Sequence, residues 1–216
     1  MKRSIAVLGL GEYGMSLVRA LNELGADVLA ADKDEAKVKE VAEFCTAAGC
    51  ADLSNEDSIM SLGLQDMDIV VVAMGRNLEA SILCVAVAKE LGVPDIVAKS
   101  SSGRMSSILR KVGANRVIVP EEYAGVRSAS ILISDAILDY FQVGSGLCMI
   151  EMMPLDDWIG KTLAELELRT KRRINVVAKM ETENNWVMID PEQPLQENCK
   201  LLVVLEKKNL NRLKEQ

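Results

Sequence analysis

Gly9, Gly11 and Gly14 stand at G-x-G-x-x-G spacing between the apolar run Ser4-Ile5-Ala6-Val7-Leu8 and Met15 to Leu21, where apolar residues recur at helical spacing. Few folds accept a strand that must turn so abruptly into a helix. Gly9 permits the tight turn, Gly11 lets backbone approach a pyrophosphate, and Gly14 allows close helix–strand packing, while the free N–H groups opening the helix attract negative charge. A second run, Asp27-Val28-Leu29-Ala30-Ala31, ends in Asp32, where this fingerprint places an acid that hydrogen-bonds a ribose. The pattern predicts a bound adenine nucleotide. Asp32, Lys33 and Asp34 set two acids against one lysine where a 2′-phosphate would sit, which disfavours NADP.

Further along, Glu35 to Phe44 reads as a helix and Ala47 to Ala51 as a small-residue strand, and Asp52-Leu53-Ser54-Asn55 supplies a turn and a helix cap. Asp68 to Met74 is a continuous apolar strand of the kind buried on both faces of a sheet. Gly75-Arg76-Asn77 breaks it. Leu78 to Leu91 is then a long helix, Ile96 to Ala98 a short strand, Arg104 to Val112 a helix and Arg116 to Val119 a last strand. Strands alternating with helices predict an α/β fold with a doubly wound parallel sheet over residues 1–119.

Pro120, followed by Glu121 and Glu122, is a well-formed helix start. Val126 to Phe141 spreads its apolar residues around the circumference of a helix expected over 120–143, with Arg127, Asp135 and Asp139 as scattered charges. A helix apolar on most sides must be covered on most sides. It is either a core helix of the same domain or a crossover helix packed against a second subunit. The second reading is favoured, because this is the last element before Gly144-Ser145-Gly146, the best domain boundary in the chain. Beyond it, strands over Leu147–Met153, Ile174–Met180, Trp186–Met188 and Leu201–Leu205, with a charged helix over Thr162–Arg172, predict a small α+β domain across 147–206.

With 216 residues, 49% of them hydrophobic and 26% charged, the chain is long enough for one large domain and a small one. A net charge of -7 leaves no basic footprint for nucleic acid. No apolar stretch approaches the roughly 18 residues that span a bilayer, and no signal-peptide pattern precedes the first strand, so a cytoplasmic protein is expected. Cys45, Cys50, Cys84, Cys148 and Cys199 form no C-x-x-C pair and read as reduced structural thiols. Histidine, the commonest general base and zinc ligand, is absent from the chain, which weighs against an enzyme. A small NAD-dependent dehydrogenase and a stand-alone nucleotide sensor remain as rival readings.

Taken together, Val7-Leu8-Gly9-Leu10-Gly11, the acid after Ala31, Ser61-Leu62-Gly63 before the central strand, and Val112-Gly113-Ala114-Asn115-Arg116-Val117-Ile118 before Pro120-Glu121 resemble the regulators of potassium conductance. The resemblance is to the cytosolic subunits of Ktr- and Trk-type potassium uptake systems and covers nearly the whole chain. It implies a Rossmann-like domain, a crossover and dimerisation helix, a small C-terminal domain and a non-enzymatic role. ATP, ADP, AMP or NAD(H) would bind in the crevice, and the chain would form a dimer or octameric ring beneath a potassium-transporting membrane subunit. By position, Gly9, Gly11 and Gly14 would hold the phosphates, Asp32 and Asp34 the ribose, and Ala51 and Asp52 the adenine side, with Tyr13 and Lys33 also among the nucleotide-binding residues. Met74, Gly75 and Arg76 would form the opposite wall, with Asn77 also a binding residue and Lys99 facing the phosphates. Glu12 stands where relatives usually carry an arginine that reaches the terminal phosphate. That carboxylate weakens the case for ATP and favours AMP, ADP or NAD(H), with Arg76 restoring positive charge, pairing with Glu12 or standing as a free surface arginine. Glu121 matches a glutamate that in some members helps bind a divalent cation, and Arg169 matches an arginine of a cyclic di-AMP site.

Overall fold

Ile69-Val70-Val71-Val72 has no polar face to turn toward water, and in the computed structural model it is a strand buried along its whole length. It lies at the centre of six parallel strands: β1 (Ser4–Leu8), β2 (Asp27–Asp32), β3 (Ala47–Cys50), β4 (Ile69–Val72), β5 (Asp95–Lys99) and β6 (Arg116–Ile118). Their order is β3-β2-β1-β4-β5-β6. The structure describes residues 2–182 and 185–213, and the chain divides into two units, Met1–Glu121 and Glu122–Gln216.

In the first unit, helices α1 (Glu12–Glu23) and α2 (Glu35–Val41) cover one face of the sheet through Val7, Val18, Val28, Val38 and Val41. The other face packs Ala6, Leu8, Val70, Val72 and Ile96 against α3 (Glu56–Met60), α4 (Leu78–Glu90) and α5 (Gly103–Val112), which contribute Ile59, Cys84, Val85 and Leu109. Asn55 caps α3 as its position in the sequence suggests, accepting a hydrogen bond from the Ser58 N–H at 3.0 Å. Strand order reverses between β1 and β4, and a crevice opens there at the carboxyl ends of the strands.

The expected long helix is half right. α6 starts at Pro120 but ends at Ile131, and Ile137–Val143 forms strand β7 rather than helix. Ser134 makes the break: its carbonyl accepts the Ile137 N–H at 3.1 Å and its hydroxyl the Ala136 N–H at 3.3 Å. β-branched and aromatic residues favour a pleated surface, and here β8 (Leu147–Met152) supplies an antiparallel partner. Gly144-Ser145-Gly146 is therefore a hairpin loop inside the second unit, with Gly144 at φ +64°, and not a boundary. Arg127 on α6 clamps Asp139 on β7 through two 2.7 Å hydrogen bonds, which hold the Asp139 carboxyl below the usual carboxylate range.

The second unit is a five-stranded antiparallel sheet ordered β10-β9-β11-β8-β7, with β9 (Ile174–Thr182), β10 (Asn185–Met188) and β11 (Lys200–Glu206). Its inward residues alternate along β8 (Cys148, Ile150, Met152) and β11 (Leu201, Val203, Leu205) and pack on Trp158 and Leu168. The charged helix expected over Thr162–Arg172 is two short ones, α7 (Leu163–Leu166) and α8 (Leu168–Lys171), broken at Glu167, which adopts φ 47°.

Candidate nucleotide-binding cleft

Three glycines at the end of β1 have three separate reasons to be glycine. Gly9 sits at φ +98°, and a Cβ there would meet Met74 Cγ at 2.5 Å. A Cβ on Gly14 would stand 2.0 Å from the Gly9 carbonyl oxygen, so α1 approaches the turn only because that carbon is missing. Gly11 is different: its backbone is extended (φ -75°, ψ -176°) and nothing lies within 4 Å of its Cβ position. It is the N-cap of α1 without a side chain to offer, so the first N–H groups of the helix are left for an acceptor from outside.

Asp32, at the end of β2, ties this turn down. Its Oδ2 accepts the Leu10 N–H at 2.6 Å and its Oδ1 the Asp34 N–H at 3.0 Å. An ionised carboxylate has about four acceptor positions, so two are left after these backbone bonds.

A cleft of about 670 Å³ opens over the turn, within the size range of small-molecule sites. The sequence-predicted Gly9, Gly11, Glu12, Tyr13 and Asp32 line one side; Met74, Gly75, Arg76, Asn77, Lys99 and Glu121 line the other. Gly14, Lys33, Asp34, Ala51 and Asp52 do not line it. Gly14 is packed against the Gly9 carbonyl; Lys33 is exposed; Asp34 caps α2 by accepting the Ala36 N–H at 3.0 Å. Ala51 is buried and donates its N–H to the Asp32 carbonyl at 3.1 Å, while Asp52 turns onto Ser54, whose hydroxyl hydrogen bond lowers the Asp52 pKa.

Sequence reasoning missed one arm of the cleft, formed by Met15, Ser16 and Arg19 on α1 and by Lys37 and Glu40 on α2. Arg19 reaches Glu40 at 2.7 Å and lies 5.6 Å from the centroid of the Phe44 ring. The signal was present in the spacing: Glu12, Ser16 and Arg19 recur at i, i+4, i+7 and share the α1 face that opens on the turn.

On the far wall of the cleft Lys99 finds a partner within the protein. Lys99 Nζ is 2.7 Å from Glu121 Oε1 and 5.7 Å from the centroid of the Tyr13 ring. Its stem lies on Gly75, where a Cβ would come within 3.0 Å of Lys99 Cε. The hydrogen bond from Lys99 holds the Glu121 carboxyl below its usual range, with a smaller contribution from the charge of Arg76. Among the described residues Arg76 makes no ion pair, with Glu12 or any other acid. None of the described helices is long and apolar enough to cross a membrane, and no group of three metal-ligating side chains occurs among the described residues. All five cysteines are unpaired, and burial pushes the Cys84 thiol up to about 12. In the second unit Arg169 lines a separate groove of about 250 Å³ with Leu163, Glu167, Thr170 and Asn175.

Residues 5–120 match the TrkA-N domain family and residues 149–216 the TrkA-C domain family. The Ktr system potassium uptake protein C of Bacillus subtilis is 38% identical over 178 residues, covering 82% of this chain and 80% of that protein. The Ktr system potassium uptake protein A of the same organism is 30% identical over 214 residues, covering 99% of this chain and 96% of the relative. Among solved structures, the GsuK channel bound to NAD shares the fold with a TM-score of 0.65 at 15% identity, over 97% of this chain and 38% of that one. The parallel sheet with its glycine turn is the TrkA-N domain and the antiparallel unit carries the TrkA-C match, so the chain belongs to the family of the Ktr and Trk potassium uptake proteins.

Proposed function

We propose that this chain is a non-catalytic, nucleotide-binding regulatory subunit of a potassium uptake system, acting on the cytosolic face of the membrane beneath a potassium-transporting membrane subunit. The observation that carries the nucleotide reading is the open Gly11 turn. A side-chain-free N-cap faces a cleft at the β1/β4 switch point, and Asp32 presents its remaining acceptors beside it. Phosphates lie over the N-terminus of α1 and the ribose hydroxyls reach Asp32. Arg76, unpaired among the described residues, and Lys99 supply positive charge on the far wall, and Glu12 sets a carboxylate near the terminal phosphate.

ADP, AMP and NAD(H) fit this charge arrangement better than ATP, unless a divalent cation joins Glu12 or Glu121 to the phosphates. Relatives named for potassium uptake and a structural neighbour solved with NAD support the reading. Subunits associate as dimers or a larger ring through α6, whose Tyr123 is 66% exposed and which is followed by Leu132 at 85%. The groove at Arg169 is a candidate for cyclic di-AMP.

Thermal-shift and calorimetric titration with AMP, ADP, ATP, NAD⁺ and NADH tests the nucleotide reading. A ligand at 100 times its Kd adds about 2.7 kcal/mol to stability. Binding that disappears in Asp32→Ala supports the assignment; equal affinity in wild type and Asp32→Ala overturns it. Potassium uptake by a strain given the membrane subunit with and without this chain tests the transport reading, which falls if uptake is identical in both.

A further inference from the structure

Of the cations lining the cleft, only Lys99 is mostly buried, with its side chain 15% exposed against 46% for Arg19 and 44% for Lys37, while Arg76 is exposed. A buried ammonium needs a charged partner, since leaving it unpaired forfeits its hydration without return. Its present partner is Glu121, whose side chain is 64% exposed and sits in the first turn of α6. The two ends of this pair are therefore unequal. Lys99 is held in place by its stem on Gly75 and by the Tyr13 ring, whereas Glu121 can return to water in a helix turn that favours negative charge.

We propose that Glu121 is a tethered stand-in for the ligand's phosphate, which holds Lys99 in the free protein and yields it to a nucleotide polyphosphate on binding. The exchange replaces one anion on Lys99 with another, so no buried charge is left unpaired at either end of the reaction. Only a ligand that carries phosphate can drive it; adenosine, which has none, leaves the pair intact. Glu121 thereby sets a threshold for anionic ligands and makes its own release the mark of an occupied cleft. The idea rests on the nucleotide reading above and adds to it a competitor within the chain.

The full chain is titrated calorimetrically with ADP and with adenosine, in chelator so that no divalent ion bridges Glu121 to the ligand. Four proteins are compared: wild type, Glu121→Gln, Lys99→Met and the double variant. Lys99→Met keeps the apolar stem over Gly75, and Lys99→Gln replaces it in the cycle if melting curves show Lys99→Met unfolded. Glu121→Gln should bind ADP about 3–10-fold tighter than wild type, with adenosine affinity unchanged. In the Lys99→Met background the same substitution should change ADP affinity by less than about twofold. An unchanged or weaker ADP affinity in Glu121→Gln overturns the proposal. So does an equal gain in the Lys99→Met background, which would assign the effect to long-range repulsion instead of competition for Lys99. A wild type that binds no nucleotide removes the nucleotide reading and this proposal with it; a wild type that binds ADP without a gain in Glu121→Gln removes only the competition.

Discussion

Substituting the glycines of the turn one at a time should separate folding from binding. Gly14→Ala places a carbon 2.0 Å from the Gly9 carbonyl oxygen, far inside any tolerated contact. The obstacle is backbone, not the end of a flexible side chain, so either α1 or the turn must move. Overpacking of a well-packed site typically costs 1–3 kcal/mol, and a clash this deep between backbone segments should reach about 3 kcal/mol or more. In a unit of this size that corresponds to a fall in melting temperature of roughly 10 °C.

Gly11→Val should do the reverse. Its φ and ψ are open to any residue and its Cβ meets nothing within 4 Å, so the free protein should melt within a few degrees of wild type. The added side chain, however, stands where phosphate must approach the N–H groups of α1. The stabilisation by ADP, about 2.7 kcal/mol at 100 times the wild-type Kd, should vanish. Differential scanning calorimetry with and without ADP, backed by titration calorimetry, reads both effects. If Gly11→Val melts like wild type and keeps the full ADP shift, the phosphates do not lie over this turn. If Gly14→Ala is as stable as wild type, the close approach of α1 is not what requires glycine there.

Three further outcomes are expected. Glu12→Arg should shift the ATP/ADP preference toward ATP by about 1 kcal/mol, roughly fivefold, because a charge-assisted contact replaces a repulsion; competitive titration in chelator checks it, and an unchanged ratio shows that Glu12 does not face the phosphates. Asp139 has its pKa lowered, first by the hydrogen bond from Arg127, so the pair contributes stability above the usual carboxylate range and loses it as pH falls through the lower, folded-state value. Arg127→Met should therefore melt a few degrees lower at neutral pH and show a shallower loss of stability on acidification, whereas parallel acid limbs would refute the role. Light scattering should report a dimer or larger assembly, and Leu132→Asp should weaken it; a monodisperse monomer of wild type at micromolar concentration, with and without nucleotide, contradicts the exposed apolar surface as an interface.

Several features were legible in the amino-acid order because they are decided within a few residues of themselves. The strand, turn and helix over Ser4–Glu23, the cap at Asn55, the buried run of β4 and the helix start at Pro120 each follow from steric and hydrogen-bonding rules that act locally. The strand and helix alternation then leaves one economical arrangement, a parallel sheet, and with it a crevice above Gly11. What the pattern could not decide was anything that needed a partner from elsewhere in the chain. Ile137–Val143 reads equally as an apolar helix, and it is β8, presented through the Gly144–Gly146 hairpin, that makes it a strand. Arg19 meets Glu40 only because the parallel pairing of β1 with β2 sets α1 beside α2, and Lys99 meets Glu121 only because parallel strands bring the end of β5 and the start of α6 to one rim of the sheet. Local sterics act along the sequence, whereas charge pairing and strand pairing act through space, and only the folded chain sets which groups come within reach.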